Sequence, residues 1–228
     1  MKLPAKPAPR MGISRRLGRF LVGRCRNVYY RLAESTTGAH KRDFLVTRVE
    51  DARSGLEDTK EQFQSALEQF GALVEFDGGN LGSLYHALKR EFDRSERLAN
   101  AVHTHIDTIE ELAQALFVEW EMELDLYTNR SLRAKSRQKL KLTQRHYQNL
   151  IKAMRKAESR IDPVLGAFRD QVLFLKHNLN AQAIAALQHE LVSVSNDIAA
   201  MIQVMEHSIL QADQFIRTLE EPKSLPKK

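Results

Sequence analysis

The chain has 228 residues, 43% of them apolar and 28% charged, with 35 Lys and Arg against 29 Asp and Glu and a single cysteine. One cysteine excludes a disulfide framework and any multi-cysteine zinc or iron–sulfur site. Five of the six prolines sit at the ends (Pro4, Pro7, Pro9, Pro222, Pro226) and only Pro163 lies between. A long middle section almost without this helix breaker can be helical throughout.

The first element is a basic arm. Residues 1–42 hold eleven bases and one acid, Glu34. Leu17, Phe20 and Leu21, with Ile13 and Val28, fall broadly on one helical face, and Arg15, Arg16, Arg19 and Arg26 lie opposite. Arg24 and Arg31 intrude on the apolar side. A basic amphipathic helix of this kind lies in a membrane interface, where anionic lipid contributes about 1 kcal/mol per basic residue. Gly12, Gly18 and Gly23 weaken it in water by about 1 kcal/mol each. A disordered arm, a degenerate targeting relic and a functional targeting segment are the competing readings.

The body follows. From Leu45 the apolar-type positions run Leu45, Val49, Ala52, Leu56, Thr59, Phe63, Ala66, Phe70 and Leu73, in alternating steps of four and three. That 3.5-residue repeat keeps one seam facing a partner helix. Asp43 is the expected N-cap, and Asp77-Gly78-Gly79-Asn80 the expected stop. A second run extends through Leu84, Leu88, Phe92, Leu98, Val102, Ile106, Ile109, Ala113, Leu116, Trp120, Leu124 and Tyr127, about 70 Å of helix. Thr128-Asn129-Arg130-Ser131 turns the chain. The third run is Leu132, Ser136, Leu140, Thr143, Tyr147, Leu150, Met154, Ala157 and Ile161. Asp162-Pro163 then reads as a cap with proline at the first helical position, so a kink or a fresh helix is expected there. Asn178 and Asn180 mark a short break. The last run, from Ile184 to Leu219, steps by three and four to its end. No stretch alternates with a strand's period of two. The expected fold is all-α: an elongated antiparallel helical bundle or coiled coil of four to five long helices. The expected division is a basic arm at 1–42, the helical domain at 43–221 and a tail at 222–228.

Charge within the body is blocked. Residues 98–129 carry seven acids and no Lys or Arg, whereas 130–160 carry eleven bases and one acid, Glu158. Folding back at 128–131 lays Asp107, Glu110, Glu111, Glu119, Glu121, Glu123 and Asp125 beside the basic third helix, which fixes pairing and register. The body as a whole is slightly acidic, so the sequence pI of about 9.5 comes largely from the arm and is not a nucleic-acid signature.

Candidate sites are few. Arg130, Arg137, Lys141, Arg145, Lys152 and Arg155 project together from the third helix, opposite its seam. Such a ridge tracks phosphates, but no aromatic side chain shares its face, so base stacking is not expected. A solvated face or a seat for an acidic helix is the preferred reading. Lys176, His177, Asn178 and Asn180 form a polar cluster at a helix junction; capping accounts for its asparagines, and a binding role is the alternative. None of the eight histidines follows a glutamate at the spacing of di-iron bundles. His103 and His105 do not share a helix face, and Gly78, Gly79 and Gly82 lack the lysine of a phosphate loop. We therefore expect no catalytic residues, no metal and no cofactor.

Several stretches carry a resemblance: His40-Lys41-Arg42-Asp43, Arg48 to Arg53, Phe76 to Gly79, Ser131-Leu132-Arg133, and above all Asp170 to Gln188. In these the chain resembles a bacterial family of helical proteins catalogued as a domain of unknown function (DUF2959), from about Cys25 to Leu219. The resemblance implies a helical fold and a bacterial source, and no activity. It also implies an alternative anchor, because many members look like envelope lipoproteins with a cysteine shortly before a Tyr-Tyr pair, as Cys25 precedes Tyr29-Tyr30. Here Arg24 occupies the place of a small residue, and the apolar run before it is only Phe20-Leu21-Val22. The expectation is a non-enzymatic interaction or scaffold protein in the cytoplasm, peripheral on the inner membrane through its arm. Its expected partners are another protein or a second copy, and an anionic membrane surface; nucleic acid is the rival, and an envelope lipoprotein anchored at Cys25 the further alternative.

Overall fold

In the computed structural model, residues 41–75, 81–178 and 181–220 are described. The arm candidates Arg15, Arg16, Leu17, Arg19, Phe20, Leu21 and Arg26 lie outside the described residues. So do Cys25, the glycine turn at 76–80, Asn180 and the tail. The described chain forms four helices and no strand: α1 Lys41–Val74, α2 Leu81–Leu124, α3 Arg130–His177 and α4 Ala181–Glu220. The fold is all-α.

The seam read from α1 is the seam found. Every one of its nine positions from Leu45 to Leu73 is buried. Asp43 lies within the first turn of α1 and is not its cap; there its carboxylate complements the helix dipole. In α2 the seam is corrected. It runs through Tyr85, Leu88, Phe92, Ser95, Ala99 and Val102, while Leu84 and Leu98 are only half-buried and Tyr127 is exposed beyond the helix. Ser95 takes a seam place because its hydroxyl donates to the Glu91 carbonyl at 2.9 Å, which satisfies the polar group inside the helix. The step of six that apolarity alone produced thus becomes three, four and three.

Asn129 caps α3, its side-chain oxygen accepting from the amides of Ser131 and Leu132 at 2.9 and 3.2 Å. Leu132 itself is exposed. Pro163 neither ends nor restarts the helix: α3 runs unbroken for 48 residues, about 72 Å. Ile161, Val164, Leu165 and Phe168 are all buried around it. Each such burial contributes about 1.5–3 kcal/mol, which together exceed the roughly 3 kcal/mol that an interior proline costs. The proline side chain itself faces solvent.

Each helix packs on two others, α1 on α2 and α4, and α3 on α2 and α4. Neighbours run in opposite directions. Lys41 of α1 reaches Glu119 near the end of α2, and Gln62 further along α1 reaches back to Glu91 at 2.7 Å. Arg53 and Lys60 of α1 meet Asp213 and Glu206 of α4 in the same reversed order. One end of the body therefore gathers the start of α1, the end of α2, the start of α3 and the end of α4. A core of aliphatic and aromatic side chains from all four helices fills the interior, and a small satellite of Trp120, Leu124 and Leu140 closes that end.

Candidate functional site

The acidic stretch of α2 does lie against basic α3. Its centre is Arg155, whose guanidinium donates to Glu110 at 2.5 and 3.2 Å, to Asp107 at 2.7 Å and to both oxygens of Glu158 at 2.8 Å. Glu158 in turn lies 2.7 Å from Nδ1 of His103, and Nε2 of that ring is 3.3 Å from Asp162. The hydrogen bond to Glu110, followed by those to Glu158 and Asp107, pushes the Arg155 pKa up. Gln144 donates to Glu121 at 3.1 Å, Arg133 pairs with Asp125, and Arg169 with Glu96 at 2.8 Å. These contacts line the α2–α3 boundary from Glu96 to Asp125.

This sorts the predicted ridge. Arg155 is not free to bind an anion, because three carboxylates hold it. Arg130, Arg137, Lys141, Arg145 and Lys152 are exposed and make no ion pair among the described residues. Within the junction cluster Asn178 is a cap: it ends α3 with its amide on the Leu175 carbonyl at 3.2 Å and its side chain on the Phe174 carbonyl at 3.0 Å. Lys176 and His177 are exposed beside it.

Two residues gained roles that spacing did not reveal. His103 bridges Glu158 and Asp162 across helices, a pairing that depends on the register of α2 against α3. Trp120 packs at the end of the core as expected, and in addition donates to Ser136 at 2.9 Å under the Arg42 guanidinium, 4.0 Å from its ring.

Two open grooves mark the surface. The larger, about 750 Å³, lies at the end where α1 starts and includes Lys41, Arg42, Glu119, Trp120 and Glu123. The smaller, about 470 Å³, runs between α2 and α3 over Phe117 and Tyr147, whose rings meet edge-on at 5.3 Å. Desolvation, then the Glu110 charge, pushes the Tyr147 hydroxyl up to about 12, against a smaller opposing effect of Arg155. The unfolded chain ionises this group near 10, so its contribution to stability is complete below pH 10 and is lost as pH rises towards 12. With the residue partly solvated, about 1–2 kcal/mol is expected to disappear over that window. Chemical denaturation at pH 9 and pH 11.5 should show a smaller loss in Tyr147→Phe than in the wild type.

Among the described residues no group of three His, Cys, Asp or Glu is placed to hold a metal ion. None of the described helices is long and apolar enough to cross a membrane. A search of curated proteins finds no match. The sequence profile of one family, described as a protein of unknown function, matches residues 29–219. That span takes in all four helices, and the chain belongs to the DUF2959 family.

Proposed function

We propose that this is a non-catalytic scaffold or interaction protein. In this reading the four helices form an elongated antiparallel coiled-coil bundle at 43–221, held at an anionic membrane surface by the basic arm at 1–42. The observation that carries the reading is the charge block of the arm, eleven bases against one acid with an apolar face, joined to a body that is slightly acidic. What supports the scaffold half is a seam packed from Leu45 to Leu73 of α1 and from Ile184 to Phe215 of α4, the geometry by which long helices hold an extended shape whose outer faces are open to a protein partner or a second copy.

Liposome co-sedimentation tests it. The full chain should pellet with vesicles containing phosphatidylglycerol and much less with neutral phosphatidylcholine, and a chain beginning at His40 should lose most of that binding. Equal pelleting of both chains, or no preference for anionic lipid, refutes the reading. The rival, nucleic acid on the α3 ridge, is favoured by the exposure of Arg137, Lys141 and Arg145. It requires an affinity that falls steeply with salt and vanishes when those three charges are removed.

A further inference from the structure

We infer that the end of the helical body formed by the α2–α3 turn is itself a membrane-docking surface, which lies against anionic lipid beside the arm. This rests on the membrane reading above and adds a second contact to it.

Three observations meet at that end. The first is exposed apolar surface: Met122 and Leu126 are 68% and 79% exposed, and Tyr127 and Leu132 flank them. Side chains of this kind at the tip of a helical hairpin are suited to the boundary between headgroups and acyl chains. The second is charge. Of the acids here Glu119 is paired with Lys41 and Asp125 with Arg133, whereas Glu121, bonded by the Gln144 amide, and Glu123 keep their charge. The bases Arg130, Arg137, Lys141 and Arg145 are exposed and unpaired among the described residues. Between Glu119 and Arg145 seven bases outweigh four acids, which leaves a positive tip on a body whose net charge is slightly negative. The third is where the arm attaches. Segment 1–40, with nine bases and one acid, joins the body at Lys41, which reaches Glu119 at this same end. The arm is therefore tethered at the tip's end of the body.

The opposite end also exposes apolar side chains, Leu173 and Phe174, but there the four acids Glu68, Glu75, Asp170 and Glu190 offset the four bases Lys89, Arg90, Arg169 and Lys176. Charge complementarity selects the tip. Arg130 to Arg145 extend about 22 Å along α3, more than twice the screening length at physiological salt. The body consequently leans onto the membrane along the outer face of α3 and does not stand upright.

The test keeps the arm intact. Full-length Arg137→Glu/Lys141→Glu should partition onto phosphatidylglycerol vesicles at least about tenfold more weakly than wild type, given the contribution of each base near such a surface. Arg90→Glu/Arg94→Glu makes the same change of charge at exposed, unpaired positions far from the tip and should bind within about threefold of wild type. In a Trp120→Phe background whose helicity is first verified, Leu126→Trp should be quenched by brominated anionic lipid and Phe174→Trp should not. Equal binding of the two double variants, or no quenching at position 126, overturns the inference. If binding still depends on the arm, the arm reading survives that outcome. No preference of the full chain for anionic lipid overturns both. A dimer in sedimentation velocity that is lost in the tip variant, with lipid binding unchanged, overturns the inference in favour of a second copy as occupant.

Discussion

Phe168→Ala is expected to lower the unfolding free energy by about 3–5 kcal/mol, the range for removing a fully buried aromatic ring. Phe168 is 1% exposed. Its ring lies 6.2 Å from that of Phe70 on α1, steeply tilted at 64°, and 6.2 Å from that of Phe92 on α2 at 58°. One side chain of α3 thus joins three helices, including α1, which lies diagonally across the body and touches α3 little elsewhere. Phe168→Leu, which keeps much of the volume, should cost under about 1.5 kcal/mol. Phe174→Ala, six residues along the same helix and 40% exposed, should stay within about 0.5 kcal/mol. Urea unfolding with a shifted midpoint at constant slope is the measurement. A Phe168→Ala loss no larger than that of Phe174→Ala would contradict the three-helix packing.

Arg155→Met should destabilise by about 2–3 kcal/mol. Removing one partner of a fully buried pair costs about 3–5 kcal/mol, and the Arg155 side chain, 32% exposed, is screened by solvent to a lesser value. The loss has two sources. Five donated bonds disappear, and Asp107, Glu110 and Glu158 are left close together without a counter-charge. Arg155→Lys keeps the charge but not the planar fork that serves three carboxylates at once, so it should recover only part of the stability. Adding Glu110→Gln to Arg155→Met should restore some of it by removing one repelling charge. A loss of this double variant equal to the sum of its parts would mean that the cluster is not coupled. The raised pKa of Arg155 places its titration above the usual range of measurement. Its contribution is therefore complete at neutral pH and unaffected by mild alkali.

The clearest features were those set by period and by local chemistry. The four-three stepping of α1 is a one-dimensional signal of one buried face, and all nine positions obeyed it. Thr128-Asn129-Arg130-Ser131 announced the turn between α2 and α3, and the structure adds that Asn129 caps α3 through amides only two and three residues away. Asp43 and Pro163 were read by the same local chemistry and placed differently by the structure. Packing of Ile161, Val164, Leu165 and Phe168 outweighs one lost backbone bond, and no window of local sequence contains their partners on α2 and α1. Ser95 and Ala99 were missed because a seam position asks for a small or satisfied side chain as readily as for an apolar one.

The ridge of α3 draws the boundary most sharply. Arg137 and Arg155 are eighteen residues, five helical turns, apart and project at the same angle. By periodicity they are equivalent, and the sequence by itself determined that both leave the seam. Tertiary structure made them different. Arg155 lies level with Asp107 and Glu110 on α2, which desolvate it and hold it. α2 ends at Leu124, and Arg137, next to the Ser136 that Trp120 bonds, is level with that end, where the nearby Asp125 is already taken by Arg133. The length of a neighbouring helix and its register, set by contacts distant in sequence, decide which base is a strut and which is free to meet a partner.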